Sequence, residues 1–522
     1  MKEETWNPGW IVAAVMAVAG SGFSAVAVAP APAKESAPPA GTAAAPAKEQ
    51  VKAAAPAAPA HKELFWPELW QTFHHPAPWL NMGLDQRLRL EAGENWTTLN
   101  EDVATDHRYM YERYRTRWWT KWSLNDDISF NTRLVWEFRT WQDPRTRPQF
   151  TNALGGENPH VTSFNADEAL FDWFNVNLRH LAGLPLTATV GRQDIGFGVG
   201  WLIFDSTPLD GTRTMGAFDA ARFTYDWADR NTKVDMIYVD ETAASDRWLE
   251  PINEQHRGLR EQDERGAIFY LTNTSWKPMQ LEGFFIYRDD NPVNNLLSNF
   301  PYLWSRKAQI YTFGGAVAGT KGDHWKYRAE GAIQRGSKWD GTSVLETVGP
   351  ERALQAYGAL ANLEYQFKDP RDNASHIGYE YASGDDPNTA RNEQFDLLWG
   401  EWPRWSDVFH CLCANETQTG DMTNLHRFNV GHRFNCNRQW QLTGDYHAIW
   451  ADRNPGATNP AKLALSATDR FRGSLYATSL RYKFSDQLSG YGLFEYFIPG
   501  SYYVAPSDDN AYFFRFNFEY VF

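Results

Sequence analysis

The sequence predicts an all-β fold, a transmembrane antiparallel β-barrel of about eighteen strands. Three observations predict it: the parity of the aromatic residues in the last segment, the spread of apolar residues along the chain, and an alternation of short and long connections. From Tyr512 to Phe522 every second residue is aromatic: Tyr512, Phe514, Phe516, Phe518, Tyr520 and Phe522. Arg515, Asn517 and Glu519 stand between them. A strand sends alternate side chains to opposite faces. One face is therefore a wall of rings, and the other carries both signs of charge. In a soluble protein that wall needs a layer packed on it. In an outer-membrane barrel it faces lipid, while the charged face lines a wet lumen. Such a strand ending in Phe reads as the one that closes a barrel.

The composition agrees. The mean hydropathy is -0.56, and no helical span appears after residue 30. A chain of 522 residues that is still 43% hydrophobic must then hide its apolar residues one at a time along strands. The 24 Trp, 23 Tyr and 32 Phe suit the aromatic girdles of such a barrel. A formal net charge of -14 argues against a nucleic-acid partner.

Residues 1–29 read as a signal peptide. The run 11–29 is small and apolar, and Ala25-Val26-Ala27 suits cleavage. A retained anchoring helix is the alternative, although Gly20 and Gly22 interrupt the run. Residues 30–63 are an Ala/Pro-rich stretch that reads as a flexible linker, and residues 64–522 as the barrel. Cys411 and Cys413 are too close for an easy bridge, and Cys436 falls at the opposite barrel end from both. No bridge from Cys436 is expected.

Alternating segments recur to the C-terminus. The first three are expected near 84–97, 108–122 and 128–141, followed by 168–180, 185–195, 218–227, 231–241, 265–273 and 278–288. The remaining nine are near 307–319, 324–334, 353–367, 374–383, 423–433, 438–450, 471–484, 488–497 and 511–522. Gaps such as Asn125-Asp126, Ala228-Asp229 and Ser485-Asp486 are short turns. The gaps in between are long, with 384–422 the longest. This sorting fits periplasmic turns and extracellular loops, with both termini in the periplasm. A sandwich or propeller has no reason to sort its loops so.

Three stretches carry a family resemblance. They are Gly191-Arg192-Gln193 with Gly196 and Gly198, then Phe218-Asp219-Ala220-Ala221-Arg222-Phe223-Thr224-Tyr225. The third is Gly378-Tyr379-Glu380-Tyr381-Ala382-Ser383-Gly384-Asp385-Asp386 with Phe395-Asp396. From about Leu84 to Phe522 the sequence resembles the alginate-export family of outer-membrane barrels. The resemblance implies eighteen strands and a narrow, Arg-rich passage for an anionic polysaccharide. The Ala/Pro linker and the Cys411/Cys413 loop depart from it.

The same parity names the candidate pore-lining residues: Arg113, Arg115, Arg117, Arg133, Glu137, Arg139, Arg192, Arg222, Arg481 and Arg515. Arg87, Arg89 and Arg179 join them as inward residues. Guanidinium matches a carboxylate with two parallel N–H donors, and a ladder of weak sites passes a chain along a pore. Inward arginines also brace barrel walls, and for any single one bracing stands beside substrate contact. Three consecutive inward arginines at 113, 115 and 117 would need unusual acidic compensation, so they are expected to face open lumen water. Trp118, Trp122 and Trp136 read as lipid girdle, and the inward Trp119 as a candidate for stacking on sugar. Asp385, Asp386 and Asp396 read as a solvated acidic loop before a calcium site. The 384–422 loop is a candidate plug. No Ser/His/Asp set, metal motif or cofactor loop emerges.

The sequence thus predicts a non-enzymatic outer-membrane pore for passive, electrostatically guided passage of an anionic polysaccharide. Its partners would be that polymer or smaller anionic sugars, outer-membrane lipid and periplasmic polysaccharide-synthesis proteins. A general or sugar-selective porin is the alternative, and a barrel enzyme a third reading.

Overall fold

A computed structural model describes residues 72–102, 107–143, 164–166, 169–205, 218–243, 248–253, 262–292, 307–340, 349–400, 405–417, 422–454 and 463–522. The segments expected as signal peptide and linker, and the expected barrel start at 64, lie outside these.

Period-2 patterning yields eighteen long strands. The first six are β1 (Leu80–Glu94), β2 (Arg108–Ser123), β3 (Ile128–Asp143), β4 (Leu170–Leu178), β5 (Leu186–Gln193) and β6 (Phe218–Trp227). Next come β7 (Thr232–Glu241), β8 (Asp263–Asn273), β9 (Met279–Asn291), β10 (Ala308–Lys321), β11 (Trp325–Trp339) and β12 (Glu351–Gln366). The last are β13 (Ala374–Ala382), β14 (Leu425–Asn435), β15 (Trp440–Trp450), β16 (Phe471–Lys483), β17 (Leu488–Pro499) and β18 (Ala511–Val521). Each pairs antiparallel with the next. β18 returns to β1, from Asp85↔Val521 to Glu94↔Tyr512. The Leu84 and Phe522 amides each donate to the other's carbonyl at 2.6 Å. Closure leaves no sheet edge, the condition for strands to cross a bilayer.

Turn chemistry is local. Asn125 Oδ1 accepts the amides of Asp127 and Ile128 at 2.9 and 2.8 Å. Asn437 repeats this for Gln439 and Trp440, as does the Ser485 hydroxyl for Gln487 and Leu488. These side chains imitate a backbone turn and need few residues. The short turns all lie at the end holding the start of β1 and the end of β18, and the long connections at the other. That sorting marks the short-turn end as periplasmic.

The parity holds across the closing sector, β18 and β1–β3. Leu88, Trp118, Trp122, Trp136, Phe516 and Phe518 are exposed on the outside, while Arg87, Arg89, Glu91 and Arg515 on the opposite parity are buried. Strand ends move by a few residues from expectation. β4 stops at Leu178, so Arg179 lies exposed in the following turn rather than inside.

The interior holds a core of its own. Residues Ile195–Asp205 form a small hairpin, Ile195–Gly196 against Phe204–Asp205, and return inward. So do residues 385–400 and 405–417, the latter carrying helix α1 (Asp407–Thr417). Trp201 stacks on Phe395 at 5.4 Å, and the Phe204 amide donates to the Trp399 carbonyl at 2.7 Å. Ile195, Ile203, Leu397, Val408, Phe409 and Leu412 are fully buried around them. Two wall glycines seat the plug. A Cβ at Gly266 would lie 2.3 Å from the Trp399 ring, and one at Gly358 2.5 Å from the Phe395 ring.

Candidate permeation pathway

The arginine wall follows from register. In the β1–β2 ladder Arg87 faces Arg115 and Arg89 faces Arg113. In β2–β3 Arg113 faces Arg139, and Arg115 faces Glu137. Like charges directly opposite repel, and three wall carboxylates relieve them. Glu137 takes Arg87 and Arg113 at 2.9 Å each and Arg139 at 3.2 Å. Glu91 takes Arg515 at 2.6 Å and Arg113 at 3.4 Å. Asp85 takes Arg117 at 2.8 Å. Arg89 donates to Asn517 at 2.6 Å.

Arg113, Arg115 and Arg117 therefore point inward but do not face open water. They are only 5%, 1% and 5% exposed, lying along the wall among their partners. The acidic compensation judged unusual from sequence is present. Even so, the inner faces of 85–91, 113–117 and 133–139 carry seven arginines (87, 89, 113, 115, 117, 133, 139). They carry three carboxylates (Asp85, Glu91, Glu137). Beyond the lattice, Arg133 is held by Asp172 at 2.7 Å and Asp194 at 3.1 Å, with Trp173 3.9 Å away. Arg192 pairs with Asp219, and Arg222 with Asp235, each at 2.8 Å. Arg481 stands exposed near the periplasmic end over the Tyr491 ring. Among the ion-paired candidates, Arg139 and Arg222, with side chains 28% and 26% exposed, are more open than Arg113, Arg117, Arg133 and Arg192.

The plug is clamped at both ends of α1. Asp407 makes a two-armed pair with Arg515, at 2.8 and 2.6 Å. The Asp407 and Val408 amides and the Ser406 hydroxyl donate to Glu495 of β17 at 3.0, 3.0 and 2.8 Å. A wall carboxylate thus meets the positive end of the helix dipole. At the other end Glu416 accepts from Arg472 and from the Tyr502 hydroxyl. Farther up the segment, Asp396 is buried against Lys338 at 2.8 Å, and Asp385 pairs with Arg352 at 2.7 Å. Asp385 and Asp396 thus anchor the plug rather than lying in a solvated acidic loop.

Trp119 points inward near the periplasmic end, where its ring covers Gly83. Cys411 and Cys413 ride on α1 inside the barrel, and burial pushes both thiols up, Cys413 to about 12. Cys436 lies exposed in the 436–439 turn at the opposite end, and all three are free thiols.

Parity reasoning singled out neither Arg427, held by Glu380 at 2.9 Å beneath Trp405, nor Arg288, held by Asp290 and Glu264. The same period-2 rule applied to β9 and β14 would have found both. Arg472 is different. Gly473, at φ +141°, breaks the alternation beside it.

Residues 78–474 match the alginate export family. The chain belongs to the alginate export family. No curated protein matches it by sequence. Among solved structures, Acinetobacter baumannii OccAB1 is 10% identical with a TM-score of 0.50, covering 86% of this chain and 97% of that one. Acinetobacter baumannii OccAB2 is 9% identical with a TM-score of 0.49, covering 85% and 98%. OccAB1 supports the fold alone. With the closed barrel, membership in the alginate export family makes the chain an outer-membrane pore for alginate or small solutes. The geometry explains the family-like stretches. Arg192 of the first pairs with Asp219 of the second, and Gln193 donates to the Ala220 carbonyl at 3.1 Å. Gly191, at φ +115°, sits where a Cβ would strike the Phe174 carbonyl. The third stretch is where β13 turns into the plug.

Proposed function

We propose that this alginate export family barrel passes an anionic polysaccharide such as alginate outward, passively, guided by its arginines. The observation that carries this reading is the Arg515 site. There a carboxylate, Asp407, is gripped in the two-armed geometry that a uronate carboxylate would adopt. A uronate arriving along the arginine-rich β1–β3 wall competes with Asp407 and loosens the plug. The dense counter-carboxylates keep each grip weak enough to release. A gradient, or a synthesis assembly at the periplasmic end, supplies direction. No hydrolytic step belongs to this reading. Ser375 Oγ lies 2.8 Å from His432 Nδ1, but at the periplasmic end with no carboxylate orienting the ring among the described residues.

The tightly packed plug favours a second reading, passage of small anionic sugars. Reversal potentials in planar bilayers test the charge guidance common to both. Anion preference should fall when Arg113, Arg115 and Arg117 are replaced together by Gln. Unchanged selectivity removes the arginine wall from the account. Liposome flux of short against long uronates then separates sugar from polymer.

A further inference from the structure

Among the described residues, two outer-surface cations near the extracellular rim are matched by carboxylates. Arg108 bonds Glu94, and Arg265 bonds Asp240 at 3.0 Å. One sector breaks the pattern. On β10–β12 the outward residues form rows set by register. Phe313, Ile333 and Tyr357 form an exposed apolar row. The next row toward the extracellular end is Tyr311, Arg335 and Gln355. Two rows are about 7 Å apart. Arg335 lies over the Tyr357 ring at 5.3 Å and donates to its hydroxyl at 3.1 Å. Arg391 reaches down from the plug's first turn to Gln355 at 2.7 Å. Farther out, Lys307 sits 4.6 Å from the Trp339 ring. Asp289 and Glu351 flank the sector, yet among the described residues neither forms an ion pair with these three cations.

We propose that Arg335, Arg391 and Lys307 form a binding site for the phosphorylated headgroup of an outer-leaflet glycolipid. The occupant follows from depth and charge. Two rings, the Tyr357 hydroxyl and the Gln355 amide oxygen hold the cations in place, with no carboxylate pairing among the described residues. They begin one row above the exposed apolar band, where a lipid's phosphates meet its acyl chains. Phosphate accepts guanidinium in parallel N–H bonds, and the apolar row below takes the chains. The site faces lipid, so it is independent of the proposed cargo.

The test titrates full-length protein in detergent with lipid A carrying its phosphates, read by native mass spectrometry. The triple variant Lys307→Gln, Arg335→Gln, Arg391→Gln should bind roughly 100-fold more weakly, at about a factor of five per cation. Arg391→Gln alone tests the site should the triple variant fail to fold, and should lose roughly fivefold. Arg265→Gln, a matched rim cation, should leave binding unchanged. Equal affinity for lipid A stripped of phosphate, or equal losses in Arg265→Gln and the triple variant, would overturn the proposal. So would full displacement by excess inorganic phosphate, which would make the ligand a free anion.

Discussion

Replacing Glu137 with Gln isolates the arginine lattice. Its carboxylate is fully buried and holds Arg87, Arg113 and Arg139 at 2.9, 2.9 and 3.2 Å. The change keeps shape and one acceptor oxygen but removes the charge. Breaking a buried pair while leaving its partner charged costs about 3–5 kcal/mol. The Arg139 arm is partly solvated and contributes little, so the loss comes from Arg87 and Arg113. Urea unfolding from lipid vesicles, followed by tryptophan fluorescence, measures it. Glu94→Gln is the control, because its partner Arg108 has a side chain 59% exposed. That exposed pair should contribute less than about 1 kcal/mol. Adding Arg113→Gln to Glu137→Gln should recover part of the loss, since one stranded charge disappears. If Glu137→Gln costs no more than Glu94→Gln, the lattice does not hold the wall, and the reading of these arginines as mutually braced is wrong.

Asp407→Asn should weaken the α1 clamp and raise open-channel probability in single-channel recordings; unchanged gating would mean the helix is held by its apolar face alone. Cys436 should label rapidly with a maleimide in the folded protein. Cys411 and Cys413 should stay unlabelled at pH 8, because burial keeps them as thiols. Their folded values lie above the unfolded one near 8.5. Their contribution to plug docking is therefore complete below that pH and declines as pH rises toward the folded values. Labelling of Cys413 should accelerate in the alkaline range, as read by mass spectrometry. Equal labelling of all three at pH 8 would place α1 outside the lumen.

Most of the barrel was legible because period 2 is a local rule. Tyr512–Phe522, 438–450 and 471–484 each declare their two faces without reference to the rest of the chain. Loop sorting is likewise visible as gap length. The state of the lumen arginines was not legible. That Arg87 faces Arg115 depends on register between strands, and that Glu137 serves three arginines depends on two ladders at once. The plug was suggested by the length of 384–422, but its seats were hidden. Nothing local to Gly266 or Gly358 says that Trp399 and Phe395, far along the chain, will cover them. Asp385 and Asp396 looked like a solvated acidic loop because their partners, Arg352 and Lys338, lie on strands 33 to 58 residues earlier in the sequence.

Polymer block in a planar bilayer tests the central claim most directly. Polyuronate added on the periplasmic side should interrupt an anion-preferring current, and the interruptions should shorten as salt rises and screens the wall. A neutral polysaccharide of the same length should leave the current alone. A cation-preferring current, blocked equally by both polymers, would contradict an arginine-guided path.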